Sequence, residues 1–210
     1  MTESLKTGTT TLGVVCKDGI VIAADKRATV GHMIYHKEEQ KVIPFNDRFV
    51  LTIAGSAALA NKIAKYIKAE SQLNQLRLGR QNTVKEVVSI ASNYLFGSIH
   101  SGAGIVHFLL AGTNADGTTE IYDVFADGST HKVEDFWVTG SGGVFAQGVF
   151  ESQYSADLDV SQGVELVKKA FNAAFKHDSA SGNGADIFKV TDAGVALVET
   201  HRLQSILPAK

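Results

Sequence analysis

TGTTTLGVVCKDG, residues 7–19, decides how the rest of the chain is read. Three threonines follow a glycine at the head of an apolar run, and β-branched residues pack well on a pleated surface. Segments 9–16 and 20–24 are joined by Lys17-Asp18-Gly19, where Asp-Gly is a turn signal, so the chain opens with a predicted β-hairpin. A threonine-rich strand start is ordinary in itself. It acquires chemical meaning only if other residues converge on it.

Downstream, 48–54 reads as a strand ending at Gly55. The period then changes: Ala60, Ile63, Ala64 and Ile67 fall on one face of a helix that stops near Gly79. Thr83 and Glu86 form a capping box, and Val84, Val87, Val88, Ala91 and Leu95 give the second helix its apolar stripe. Segments 105–111 and 120–125 read as strands around the turn Asn114–Gly117. Val160, Val164, Val167, Phe171 and Ala174 mark a third helix, followed by the Ser/Gly-rich loop DSASGNGAD, 178–186. Segments 187–190 and 195–198, joined through Asp192-Ala-Gly194, predict a closing hairpin. Strands, two helices, strands, a helix and strands in that order predict an α+β sandwich with helices outside antiparallel sheets.

Composition narrows the function. At 210 residues, 44% apolar and 20% charged, the chain is long enough for one layered domain, and neither proline, Pro44 nor Pro208, marks a linker. Twenty Lys+Arg against 22 Asp+Glu leave a formal charge of −2 with no run of one sign, which argues against nucleic acid or anionic membrane as partner. The lone cysteine, Cys16, allows no intrachain disulfide or multi-cysteine zinc site, fits a reducing compartment, and reads as a small core residue. No stretch approaches the roughly 20 apolar residues that span a bilayer, and MTESLKTG is too short and polar for a secretory signal, so a cytoplasmic location is expected. Seven scattered histidines show no metal-ligand spacing, and neither metal nor cofactor is expected. Gly140-Ser141-Gly142-Gly143 lacks the G-K-[ST] of a phosphate loop, and neither Ser141 nor Ser181 lies in a G-x-S-x-G elbow.

A threonine hydroxyl becomes a nucleophile once a base takes its proton, and an N-terminal threonine carries that base as its own α-amine. The α-amino pKa of about 7.7–8.0 suits a general base near neutrality. Such an enzyme is made with a leader, here MTESLKTG, and Gly8 before the cut lets the hydroxyl approach the preceding carbonyl. Residue chemistry alone does not choose among Thr9, Thr10 and Thr11.

Seven stretches taken together, TGTTTLGVV, AADKRAT, HKEEQK, LTIAGSA, VTGSGG, GVFESQYS and DSASG, resemble the proteasome β subunits, closest to the archaeal type, over essentially the whole chain. The resemblance implies a four-layer αββα sandwich of the N-terminal-nucleophile hydrolase fold. It implies removal of residues 1–8 by cleavage between Gly8 and Thr9, leaving 9–210 as a single catalytic domain with Thr9 as nucleophile. Asp25 and Lys41 match the acid and lysine beside it, Gly55 matches the oxyanion-binding backbone N–H, and Ser141, Asp178 and Ser181 match the supporting polar residues. The substrate pocket would be lined by Ala28, Glu39, Ile43, Ile53, Ala57 and Asn61, favouring cleavage after bulky apolar residues, with Glu39 at the rim tolerating basic ones. Leu59 stands where many relatives carry aspartate, and His177-Asp178 replaces a frequent Arg-Asp. The implied partners are α subunits and other β subunits in stacked seven-membered rings, a regulatory ATPase ring, and unfolded protein substrates. Two rival readings are a structural ring subunit that keeps residues 1–8 and the peptidase of a bacterial two-ring ATP-dependent protease. Loss of 1–8 removes one acidic and one basic residue, Glu3 and Lys6, and leaves the formal charge unchanged.

Overall fold

The computed structural model describes residues 8–102 and 104–202; residues 1–7 of the expected leader, and Pro208, lie outside the described residues. The opening hairpin forms as the Asp-Gly turn requires: β1 (Thr11–Cys16) pairs antiparallel with β2 (Gly19–Asp25), closing at Cys16 and Gly19. β2 has no polar face. Ile20, Ile22 and Ala24 point into one core and Val21 and Ala23 into another, so its apolar run is continuous because both faces are covered.

A short ribbon, β3 (Ala28–Val30) with β4 (Met33–His36), follows. Next come β5 (Val42–Phe45), β6 (Phe49–Gly55), α1 (Ala57–Leu78) and α2 (Val84–His100). Gly79 closes α1 in the left-handed region at φ 64°, its N–H bonding Gln75 O. Thr83 and Glu86 form the expected capping box at α2. β7 (Val106–Thr113), β8 (Thr119–Val124), β9 (Thr130–Lys132) and β10 (Phe136–Thr139) lead to α3 (Gly143–Gln153) and α4 (Val160–His177), and β11 (Gly184–Thr191) and β12 (Gly194–Arg202) complete the described chain. α3 was not readable from periodicity: it starts in a glycine-rich run, buries only Gly143, Ala146 and Phe150, and leaves Val144 exposed.

Two five-stranded antiparallel sheets result, in the orders β10-β1-β2-β11-β12 and β5-β6-β7-β8-β9. Between them lie Ile20, Ile22, Val50, Leu109 and Ile121. α1 and α2 cover the outer face of the second sheet through Ile63, Ile67, Val87 and Leu95 against Leu51, Phe108 and Leu110. α3 and α4 cover the first sheet, where Val164, Val167 and Phe171 meet Leu12, Val14 and Ile187. The four layers run helix, sheet, sheet, helix, the α+β sandwich expected. Cys16 is a core residue as expected, its thiol pushed up to about 12 by burial, with the charges of Asp18 and Asp159 adding. Gly163 lets α4 pack this close, since a Cβ there would lie 2.6 Å from Cys16 Sγ.

Candidate active site

Thr9 and Thr10 are buried just ahead of β1, at the open end of the first sheet. The Thr10 carbonyl still accepts the Asp25 N–H at 3.1 Å, but the Thr10 N–H turns to Asp25 Oδ1 at 2.9 Å. That switch from ladder to side chain ends β1 and brings Asp25, the last residue of β2, beneath the threonines. Asp25 Oδ1 also accepts from Lys41 Nζ at 2.8 Å, while Oδ2 takes the N–H groups of Arg27 and Gly182 at 3.0 Å each. Asp25 and Lys41 are both almost wholly buried. Burial raises the Asp25 carboxyl, opposed by Lys41 and the N–H groups of Thr10 and Gly182. Burial likewise lowers Lys41, opposed first by Asp25 and then by the carboxylates of Glu39 and Asp178. A lysine drawn toward its neutral form can take a proton as well as give one.

The Thr9 hydroxyl donates to the Gly8 carbonyl at 2.7 Å. Gly8 has no room for a side chain: a Cβ there would fall 1.9 Å from Ala180 Cβ and 2.9 Å from Ser141 Oγ. Ser141 and Ser181 both donate to Asp178 Oδ2, at 2.7 and 2.6 Å, and Ser181 Oγ is 2.6 Å from Thr10 Oγ1. Ser141 Oγ also reaches Thr9 O at 3.5 Å. The glycines that resemble a phosphate loop serve this approach instead. A Cβ on Gly140, at φ 85°, would sit 2.0 Å from Thr9 O, and one on Gly142 would sit 2.0 Å from Thr10 Oγ1.

Thr9 opens into a cavity of about 370 Å³ whose lining includes Ala28, Glu39, Ile53, Ala57 and Asn61 together with Lys41 and Gly55. Five of the six residues expected there thus line it. Ile43 does not: it alternates to pack on the core beneath α1 and α2. Thr29, Val30 and Tyr35 of the β3–β4 ribbon supply a wall the motifs did not announce. Leu59 packs on the same core as Ile43, and His177 lies against Phe145, ring centroids 5.3 Å apart, so both departures sit outside the polar group around Thr9. Arg27 and Gly182 were also missed. They act through backbone N–H groups, which leave no signature in side-chain chemistry.

A two-sheet sandwich with paired helices outside, and a buried polar cluster at the open end of the hairpin sheet, is the architecture of the N-terminal-nucleophile hydrolases. The family model described as "Proteasome subunit" matches residues 5–190. The chain is 38% identical over 200 residues to the "Proteasome subunit beta" of Ferroglobus placidus, covering 95% of this chain and 94% of that protein. Similar matches are to the "Proteasome subunit beta" of Archaeoglobus fulgidus, 38% identical with 90% and 88% covered, and of Methanobrevibacter smithii, 36% identical with 99% and 98% covered. The chain belongs to the proteasome subunit family.

Proposed function

We propose that this chain is the peptide-cleaving β subunit of a proteasome core particle and that its nucleophile is Thr9, freed by removal of residues 1–8. The observation that carries the reading is the placement of the Thr9 hydroxyl, 2.7 Å from the Gly8 carbonyl oxygen, beside the Asp25–Lys41 pair and at the mouth of the cavity. In maturation, Thr9 Oγ1 attacks the Gly8 carbonyl carbon and its proton passes to the neighbouring base. The Gly8–Thr9 C–N bond breaks as the departing amine takes a proton, and water then hydrolyses the ester, releasing residues 1–8. In turnover the freed α-amine accepts the hydroxyl proton as Oγ1 attacks a substrate carbonyl. Lys41 and Asp25 stabilise and relay that proton, and the Gly55 N–H receives the oxyanion. The leaving amine takes the proton and departs, and water activated by the Thr9 α-amine then cleaves the acyl-enzyme. Ser141, Asp178 and Ser181 orient the amine and that water.

The mostly apolar lining of Ala28, Ile53 and Ala57 favours cleavage after bulky apolar residues, and Glu39 admits basic ones. Family membership brings assembly into the rings of the core particle. Capping by α-subunit rings, seven-membered stacking, a regulatory ATPase that feeds unfolded chains, and a cytoplasmic location complete the proposal. No helix among the described residues is long and apolar enough to cross a membrane. The test is intact mass and N-terminal sequencing after co-expression with an α partner. A start at Thr9 that Thr9→Ala abolishes supports the reading, whereas assembled particles that keep Met1 and still cleave peptides overturn it.

A further inference from the structure

We propose that His107 and Asp123 are positioning residues for oxyanion stabilisation: their side-chain bond fixes the start of β7, against which Gly55 is set. The proposal rests on Gly55 as the oxyanion donor, and neither residue belongs to the motifs that define the site.

Gly55 ends β6 at φ 99° and pairs with Val106. Its backbone lies so close to β7 that a Cβ on it would meet Ile105 O at 2.3 Å, and the following Ser56 N–H donates to the same carbonyl at 3.1 Å. The direction of the Gly55 peptide is therefore set from one side by residues 105 and 106. Val106 is anchored by its side chain in the core beneath α1 and α2, but Ile105, whose carbonyl meets Gly55, has no such anchor. Gly102 and Gly104 precede them, both at positive φ, and Ile105 is 64% exposed. The ladder between β7 and β8 begins only at Phe108 with Val124, two residues after Gly55's partner.

His107 fills that gap. Its Nε2 is bonded to Asp123 Oδ1 on β8, a diagonal reach, since Asp123 is paired with Leu109. The carboxylate is acceptor only when ionised, so the imidazole supplies the hydrogen. The Asp123 side chain is nearly buried, and the imidazole stands edge-on to the Phe125 ring with centroids 4.9 Å apart. β6 thus holds the start of β7 through backbone bonds on one side, and this side-chain bond holds it on the other. Loss of the bond lets the start of β7 tilt about the buried Val106, which moves the Ile105 carbonyl and turns the Gly55 N–H. Such a shift acts on the oxyanion, which exists only after attack, and not on the bound peptide.

The experiment uses assembled particles carrying His107→Met, which keeps bulk without a donor, and His107→Gln, which keeps a donor. Full loss of an oxyanion donor costs about 10²–10³-fold in kcat, so a displaced one is expected to cost His107→Met roughly 5–30-fold with KM unchanged. His107→Gln is expected to recover most of it. A peptide aldehyde, whose adduct carries the oxyanion, should weaken by the same factor in His107→Met, while the matching alcohol binds all variants alike. Equal kcat in the two variants, or a loss confined to KM, overturns the proposal. If His107→Met does not assemble, Asp123→Asn takes its place, with a smaller loss of kcat expected and an unchanged kcat overturning it. Should the wild-type particle bind aldehyde no tighter than alcohol, the reading of Thr9 and Gly55 falls first, and this proposal with it.

Discussion

Thr9 lies between two regions built on opposite principles. Behind it, Thr10, Asp25, Lys41 and Ser181 are buried, and each polar group is tied to another by bonds of 2.6–3.0 Å. In front of it, the β3–β4 ribbon is a two-stranded sheet with a register shift at Ala28, and Met33 and Tyr35 are 75% and 80% exposed. A buried polar network tolerates no half-satisfied member, so it fixes geometry. A lone ribbon has little packing of its own and yields to what touches it. Proton transfer demands the first kind of surroundings and acceptance of many side chains the second.

That contrast breaks most visibly at Lys41. Lys41→Ala leaves the Asp25 carboxylate buried without its counter-ion, which costs about 3–5 kcal/mol of stability. Peptide turnover is expected to fall by about 10²–10⁴-fold, the range of general acid–base catalysis, as measured on assembled particles. Retention of more than a tenth of the activity would mean that the interior pair serves folding alone.

Gly142→Ala strikes the same network without touching a charge. The new Cβ would sit 2.0 Å from Thr10 Oγ1 and 3.0 Å from Ser181 Oγ. Overpacking of this kind costs roughly 1–3 kcal/mol. Thermal denaturation is expected to show that loss, with kcat reduced about tenfold because the Thr10–Ser181–Asp178 chain must move. An unchanged melting temperature would show that the interior wall yields as readily as the ribbon.

These regions differ in legibility too. The Asp18-Gly19 turn, the Thr83–Glu86 box and the Gly79 stop were readable because each is decided by neighbours a few residues apart. β3, β4, β5, β9 and β10, at three or four residues each, are too short to show a period, and tertiary pairing alone makes them strands. The polar cluster joins positions as far apart as Thr10 and Ser181, 171 residues distant. No spacing rule reaches that far, so Ser141, Asp178 and Ser181 were reachable only through family resemblance. Ile43 went astray for a related reason. Within β5, Ile43 shares a face with Phe45 and turns with it to the core beneath α1 and α2, whereas Lys41 precedes the strand, is not bound by its alternation, and lines the cavity.

Glu39 stands at the seam between the two regions, lining the cavity within the electrostatic reach of Lys41. Glu39→Gln is expected to lower kcat/KM for peptides with Lys or Arg before the cut by roughly three- to tenfold, leaving apolar peptides nearly unaffected. The substitution also has a pH signature. The Glu39 carboxylate raises Lys41, so its removal favours the neutral amine at lower pH, and the rise of kcat/KM with pH should move toward acid. A rising limb that stays where it is would mean that Lys41 acts only as a fixed cation.

The smallest effect belongs to the ribbon. Tyr35 lines the cavity yet is mostly exposed, so Tyr35→Ser gives up little packing and should change stability by less than about 0.5 kcal/mol. Its ring is free to cover the side chain of a bound peptide, and half-burial of one such contact amounts to about 0.5–1 kcal/mol. KM for peptides with a large apolar residue before the cut is therefore expected to rise about two- to fivefold with kcat unchanged, because that contact is the same before and after attack. A fall in kcat instead would place Tyr35 with the interior group. The division between a fixed chemical wall and a yielding recognition wall would then run through the ribbon and not along its base.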